Sequence, residues 1–223
     1  MATQTANSLP QPRAFPPGKM VTLLVGPEEQ AMVVHGDCLS RDSAFFKAAL
    51  KREWGPDRAI RIPEETPLLM GYYVEHLYGG PLPTHKLSSG PKVLDPDQPS
   101  YELLANLYVL GERMLDSYYR NKIILEFLRL LRYNYVGSWP GLEAVNIIYQ
   151  GTAAESPVRR LLTDFAMNYD FPSTFAKGFA AADPAYLVGV GTSLLQKVVL
   201  ETPFEDYRMI TMDAQHYTVR EEA

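Results

Sequence analysis

The residues that could carry covalent chemistry lie in one short run around the only cysteine of the chain. His35, Asp37 and Cys38 follow closely on one another where a β-rich run gives way to a helical pattern. A thiol near a helix N-terminus has a lowered pKa, and a nearby histidine could serve as its base. A catalytic base must, however, point at its nucleophile and be oriented by a third group, whereas side chains two or three positions apart at such a turn diverge. We therefore expect His35 to pack and hydrogen-bond at its strand end and Asp37 to cap the helix, with an enzyme that uses Cys38 as an alternative.

The other motifs do not predict a metal, nucleotide or nucleic-acid site. His76 and His85 have no cysteine or acidic partners at metal-binding spacing. The run 188–193 (VGVGTS) lacks the third glycine and the preceding strand of a dinucleotide fingerprint, so we expect it to pack a helix closely or to interrupt one. A net charge of −5 does not provide the basic patch of a nucleic-acid binder. Four arginines are expected on solvated helix faces: Arg129, Arg132, Arg159 and Arg160.

Composition and cysteine usage predict the compartment. The chain has 223 residues, 46% of them hydrophobic and 21% charged, which is typical of a soluble globular protein with a real core. A single cysteine cannot form an internal disulfide and is typical of a reducing environment, so we predict a cytoplasmic or nuclear location. The stretch 185–196 is too short to span a membrane, and the N-terminus has no apolar segment of a secretory signal. We predict no cofactor, no membrane association and no direct contact with nucleic acid.

The strand signals lie near the N-terminus. Residues 1–19 hold four prolines and predict a disordered arm. β-rich runs follow at 20–25 and 30–34, and the four turn or polar residues between them favour an antiparallel hairpin. A third run with period two lies at 59–62 and is the last strand signal in the chain.

Helical patterns dominate the remainder and predict an α+β fold. Ser43 and Thr66 are capping signals before helices, and Phe46, Leu104 and Leu128 are expected in the core. The segment 81–99 contains five prolines and predicts a flexible loop. A long helix is expected from residue 100, and further helices are expected at about 116–133, 141–150, 156–169, 172–180 and 184–201. The chain then ends in an acidic tail, 203–223.

Several ordered sequence blocks cover about residues 20–133, more than half the chain. They are VTLLVG (21–26), AMVVHGDCL (31–39), SAFF (43–46), IRI (60–62), EETP (64–67), LYGG (77–80), LYVLGE (107–112) and NKII (121–124). Their order is strand, turn, strand ending in histidine, helix, strand, and a helix that closes on Tyr-x-Gly. Together these blocks resemble a BTB/POZ domain. The phrases at 107–112 and 156–164 look most like the BTB proteins that are abundant in filamentous fungi.

The resemblance implies a fold and a class of function. It implies a BTB/POZ-like domain over 20–135, with a small three-stranded sheet against a helical cluster, followed by a helical extension over 136–202. It implies a non-catalytic protein–protein interaction module, an adaptor or scaffold, with substrate adaptor of a cullin-type ubiquitin ligase as one form. A BTB-type transcriptional regulator that acts through protein partners is an alternative.

The resemblance also indicates a contact region for a protein partner. The predicted protein-binding residues are Trp54, Tyr72, Tyr73, His76 and Tyr78. Because adjacent helical positions lie about 100° apart, one of Tyr72 and Tyr73 should pack inward and the other should reach the rim, where tyrosine is favoured at interfaces. Cullin-binding members carry a hydrophobic-x-Glu motif, and Pro56 stands where that Glu is expected, which implies weak or absent cullin binding. Residues 1–19 offer no extra strand and helix, so we expect no N-terminally swapped homodimer.

Overall fold

The chain folds into a small mixed sheet packed with a larger group of helices, and its class is α+β as predicted. The predicted N-terminal arm, the predicted helix at 172–180, most of the acidic tail and the tryptophan of the predicted contact region lie outside the described residues. The computed structural model describes residues 19–51, 59–83, 85–87, 94–99, 101–132, 140–168, 181–199 and 216–219.

Three strands form the sheet: β1 (Met20–Val25), β2 (Gln30–His35) and β3 (Ala59–Ile62). Their order is β2-β1-β3, with β1 antiparallel to β2 and parallel to β3. The predicted hairpin is therefore confirmed. Gly26 adopts a φ of 77° after β1, a conformation that glycine accepts without steric cost, and its N–H donates to the Ile62 carbonyl at 3.0 Å. The same residue thus turns the hairpin and ties it to β3.

Eight helices follow the sequence pattern closely within the described residues. Where a predicted helix is described, its ends agree with the prediction to within two residues. No described helix combines the length and hydrophobicity that crossing a membrane requires. The helices are α1 (Gly36–Asp42), α2 (Ala44–Lys51), α3 (Pro67–Leu77), α4 (Tyr101–Arg113), α5 (Ser117–Arg132), α6 (Leu142–Gly151), α7 (Pro157–Asn168) and α8 (Pro184–Val199).

Two of the three predicted helix caps are confirmed. The Ser43 hydroxyl accepts the Phe46 N–H at 3.1 Å, and the Thr66 hydroxyl accepts the Leu69 N–H at 3.3 Å. The prediction that Asp37 caps α1 is wrong. His35 occupies the N-cap position without a side-chain cap bond, and Asp37 lies in the first turn, where a carboxylate interacts favourably with the helix dipole without bonding an N–H.

The segment 81–99 differs from the expected flexible loop. It contains β4 (His85–Leu87) and β5 (Leu94–Pro99), which pair antiparallel in a separate two-stranded sheet. The sequence carries no strand signal in this segment, so these two strands were not predicted. Proline cannot donate to a ladder and is tolerated only on edge strands. In a two-stranded sheet both strands are edges. The prolines, which predicted a loop, are therefore compatible with strand pairing here.

One continuous core joins the sheet to the C-terminal helices. Phe46, Leu104 and Leu128 are all no more than 2% exposed, which confirms the predicted core residues. At the crossing of α4 and α6, a Cβ added to Gly151 would lie 2.5 Å from a Val109 methyl group, so the helical extension packs tightly against the N-terminal part.

Arg159 departs from the expected solvated position, whereas Arg129 is exposed as expected. The Arg159 guanidinium is half-buried, donates to the carbonyls of Tyr149 and Thr152, and lies 4.6 Å from the Tyr149 ring centre. Carbonyls at the C-terminal end of α6 have no partners within the helix, and this arginine satisfies them. Gly189, within the VGVGTS run, lies in α8 against Thr163, where an added Cβ would come within 3.4 Å of the hydroxyl. That distance is an ordinary contact, and a Cβ added at Gly191 would meet no described atom within 4 Å. The run lies within one continuous helix, so the expected interruption is wrong, and packing so close that it requires glycine is not observed among the described residues.

Candidate protein-binding surface

Helix α3 carries most of the predicted contact residues, and the structure separates its two adjacent tyrosines. Tyr73 is fully buried and Tyr72 is half-buried at the rim, so the expected division of the pair is confirmed. The inclusion of Tyr73 among the contact residues is wrong, because a side chain in the core cannot reach a partner. Trp54 and the adjoining Pro56 lie outside the described residues.

Tyr73 instead belongs to a buried polar junction centred on Asp116. Its hydroxyl donates to Asp116 Oδ2 at 2.8 Å, and the Tyr119 N–H donates to Asp116 Oδ1 at 2.8 Å, which caps α5. Burial, reinforced by the Asp116 carboxylate, raises the pKa of Tyr73 far above its ordinary value, so the phenol remains a donor. Ser43 forms a β-bridge with Asp116 and donates to the Met114 carbonyl. Helices α2, α3 and α5 are thereby joined at one point.

His76 lies directly above this junction on α3. Its ring is half-buried, with its centre 4.9 Å from the Tyr119 ring and 6.1 Å from the Tyr118 ring. Burial lowers the pKa of His76; Lys122 and Arg41 lower it further, and Asp116 opposes the shift. The imidazole is therefore neutral at pH 7. It contacts the Tyr118 and Tyr119 rings without placing a charge beside them.

Among the described residues of this region, Tyr118 is the most exposed aromatic side chain, and it is not one of the predicted contact residues. It is 39% exposed, whereas its neighbour Tyr119 is fully buried. The Lys122 ammonium lies 5.2 Å from the centre of the Tyr118 ring, within cation–π distance. Tyr118 and Tyr119 are a second adjacent pair at the start of α5. As for Tyr72 and Tyr73, the angle of about 100° between adjacent helical positions predicts that one is buried and the other is exposed.

Arg41 of α1 completes the group of side chains around Tyr118. It donates to Asp42 at 2.6 Å and reaches the Leu77 carbonyl at 3.5 Å. Asp42 is the leading cause of a raised pKa at Arg41, and the Tyr118 hydroxyl adds to the shift. We call Arg41, His76, Tyr118 and Lys122 the His76–Tyr118 surface. It combines one exposed aromatic ring, a neutral imidazole and two cations.

Tyr78, the last predicted contact residue, fixes the end of α3 to the sheet. Its hydroxyl oxygen lies 2.6 Å from His35 Nδ1 and accepts the His35 backbone N–H at 3.0 Å. The expectation that His35 packs and hydrogen-bonds at its strand end is confirmed. Tyr78 is half-buried, so part of its ring remains at the rim of α3.

Cys38 lies on α1, belongs to the hydrophobic core and is only 5% exposed. A substrate could reach it only after local opening. In the described part of the chain, no group of three or more His, Cys, Asp or Glu side chains is arranged to hold a metal ion. No family model matches the chain, and no curated protein matches it.

Proposed function

We propose that this chain is a non-catalytic protein-interaction module of the BTB/POZ type that acts as an adaptor or scaffold. The observation that carries the proposal is the exposed Tyr118, held next to His76 above the buried Asp116 junction. Tyrosine anchors at the centre of an interface supply much of the binding free energy when their position is fixed in advance. The hydrogen bonds from Tyr73 and Tyr119 to Asp116 fix the first turn of α5, which carries Tyr118.

The order of the elements supports the resemblance to BTB/POZ domains. A hairpin, a helical segment, a third strand and then α3 follow one another in the order of the sequence blocks. The helical segment consists of two short helices, and the third strand is parallel to β1. The buried Cys38 argues against the alternative of a thiol enzyme. The alternative of a transcriptional regulator uses the same kind of surface and differs only in which protein is bound.

The chemistry of the surface indicates what a partner should present. Lys122 lies over the Tyr118 ring, and Arg41, the second cation of the surface, already pairs with Asp42 at 2.6 Å. A partner segment with an apolar or aromatic anchor beside a carboxylate would pack on the ring and pair with Lys122. Because exposed ion pairs contribute little affinity, the aromatic contact should dominate the binding free energy.

A cullin is one candidate partner, and its affinity can be bounded. Without the glutamate that cullin-binding members carry, we expect binding no tighter than micromolar, about −8 kcal/mol. Calorimetry with a purified cullin N-terminal domain measures this directly. A nanomolar dissociation constant would overturn the expectation of weak binding while supporting the adaptor role.

The proposed function is tested by quantitative affinity capture with three full-length chains: wild type, Tyr118→Ala and Val188→Ala. Val188 is 68% exposed on α8 and provides a matched loss of exposed apolar surface in the helical extension. We expect at least one partner that the wild type and Val188→Ala retain and Tyr118→Ala loses. With that partner purified, Tyr118→Ala should weaken binding by about 2 kcal/mol, roughly thirtyfold. If no partner depends on Tyr118 although all three chains unfold with the same midpoint, the proposal is wrong.

A further inference from the structure

The four described residues near the C-terminus, 216–219, lie across two helices that are distant in sequence. We call them the C-terminal strap. Tyr217 is only 2% exposed, and its hydroxyl donates to Asp164 Oδ2 on α7 at 2.9 Å. The guanidinium of Arg160, one turn earlier on the same helix, lies 5.6 Å from the centre of the Tyr217 ring. A tyrosine is thus held both by its ring and by its hydroxyl.

The other end of the strap is held through its backbone by α5. The Asn121 side chain donates to the Val219 carbonyl at 2.9 Å and accepts the Val219 N–H at 2.7 Å, although 98 residues separate the two positions. An amide side chain that pairs with both groups of one residue recognises the peptide backbone and not the side chain. Backbone pairing combined with a specific pocket is how many domains recognise extended peptides.

We propose that Asn121, Arg160 and Asp164 form a binding site for a peptide with an unphosphorylated tyrosine, and that the C-terminal strap occupies this site as a displaceable intramolecular ligand. The three recognising side chains project from α5 and α7, helices that pack into the core through residues such as Leu128 and Phe165. The helices that carry these side chains are therefore anchored in the core by residues outside the strap. Its residues differ from those of the His76–Tyr118 surface, although Asn121 follows Tyr118 by three positions on α5.

The selectivity for an unmodified tyrosine follows from Asp164. Burial and the Asp164 carboxylate raise the pKa of Tyr217, so the neutral phenol is the form that is bound. A phosphotyrosine carries about −1.5 to −2 charges at pH 7 and would face the same carboxylate, which would repel it. Phosphorylation of Tyr217 should consequently release the strap.

An open cleft adjoins the Tyr217 site and shares two of its residues. Arg160 and Asp164 line this cleft of about 690 Å³ between α7 and α8, together with Thr192 and Ser193. That volume is within the range of ligand sites. Because a tethered ligand has an effective concentration in the millimolar range, the strap should exclude micromolar competitors from the wild-type protein.

The first experiment measures binding of a fluorescein-labelled peptide with the sequence of residues 214–222 to full-length wild type and Tyr217→Ala, by fluorescence anisotropy. We expect Tyr217→Ala to bind the peptide at least about tenfold more tightly than the wild type, because its own strap no longer competes. A peptide with Phe in place of the tyrosine should bind about tenfold more weakly, since a hydrogen bond to a carboxylate is lost. The phosphotyrosine peptide should show no measurable binding.

Two results of that experiment would overturn the proposal. One is a cooperatively folded Tyr217→Ala chain that binds the peptide no better than the wild type. The other is equal affinity for the phosphorylated peptide. The oligomeric state is a separate test. A wild-type dimer that becomes a monomer in Tyr217→Ala would overturn the intramolecular assignment.

The second experiment retains the tyrosine and decides the question even if Tyr217→Ala does not fold. Hydrogen exchange is compared for full-length wild type, Asn121→Ala and Asn146→Ala. Asn146 is a control, because its side chain also donates to one backbone group and accepts from another, here on two residues: the Ala181 carbonyl at 2.9 Å and the Asp183 N–H at 2.8 Å. Asn121→Ala alone should speed exchange in the C-terminal strap by about tenfold or more while α5 stays protected. Unchanged protection of the strap in Asn121→Ala would contradict the proposal.

Discussion

The Tyr73 hydroxyl donates a hydrogen bond of 2.8 Å to the buried Asp116 carboxylate, 43 residues further along the chain. The Tyr119 ring packs edge-on against Tyr73 at 4.9 Å and is equally buried, yet its hydroxyl has no hydrogen-bond partner among the described residues. Two neighbouring phenols in one core thus differ in the hydrogen bonding of their hydroxyl groups. This pair allows the contribution of the Asp116 junction to be measured with an internal control.

Tyr73→Phe should lower the free energy of unfolding by about 1–3 kcal/mol, because it leaves a buried carboxylate oxygen without its donor. Tyr119→Phe removes a hydroxyl without a partner in the described structure and should be neutral or slightly stabilising. Urea denaturation of both variants measures the difference. Equal losses in the two variants would contradict the assigned role of the Tyr73–Asp116 bond.

The core should respond to truncation at each of its predicted helical faces. Phe46→Ala, Leu104→Ala and Leu128→Ala should each lower the free energy of unfolding by about 2–5 kcal/mol, through lost burial and the cavity that remains. Leu68→Ala, at a residue that is 53% exposed on α3, should change it by no more than about 0.5 kcal/mol. Losses below about 1 kcal/mol at all three core positions would show that the helical faces are wrongly assigned.

His76 should make the protein less stable in mild acid. Burial holds the folded-state pKa below the unfolded value of about 6.5. Between the two values the unfolded chain binds a proton that the folded chain does not, so stability falls as the pH drops through about 6.5 toward the folded pKa. The free energy of unfolding of wild type and His76→Gln, measured from about pH 7.5 to about pH 5.5, should show a smaller acid loss in the variant. A steeper loss in His76→Gln would mean that the sign is wrong.

Cys38 should react slowly in the folded protein. The thiol is the only one in the chain, so titration with a chromogenic disulfide reagent follows it without interference. Because the side chain is buried, reaction requires local opening and should be slower on the order of tenfold or more than in urea-unfolded protein. A rapid reaction of the native protein would favour the alternative of an enzyme that uses this thiol.

Removal of the N-terminal arm should leave the oligomeric state unchanged. Leu9 and Phe15 are its only sizeable apolar residues apart from Met1, and two such side chains bury at best about 3–6 kcal/mol. That is less than association can cost. Light scattering on the full chain and on a chain that starts at Gly18 should give the same number of subunits per particle. A dimer that dissociates after the truncation would refute this.

The local features of the fold were predictable because their causes lie within a few residues. β-rich runs marked β1 and β2, and a period-two run marked β3. The caps Ser43 and Thr66 marked helix starts, since each satisfies a backbone N–H three residues away. Helical spacing also placed Phe46, Leu104 and Leu128 in the core. The same spacing predicted that Tyr72 and Tyr73 would face different surroundings.

The spacing could not determine which member of each pair is buried or which partners it contacts. Tertiary structure alone decided that. Tyr73 is a core residue because Asp116 meets it there, and Tyr118 is exposed because Tyr119 takes the inward position. Asn121 reaches Val219 across 98 residues, and β4 pairs with β5 despite prolines that read as a loop. Hydrogen bonds and burial depend on distance in space, and residues far apart in the chain acquire that proximity only when the helices have packed.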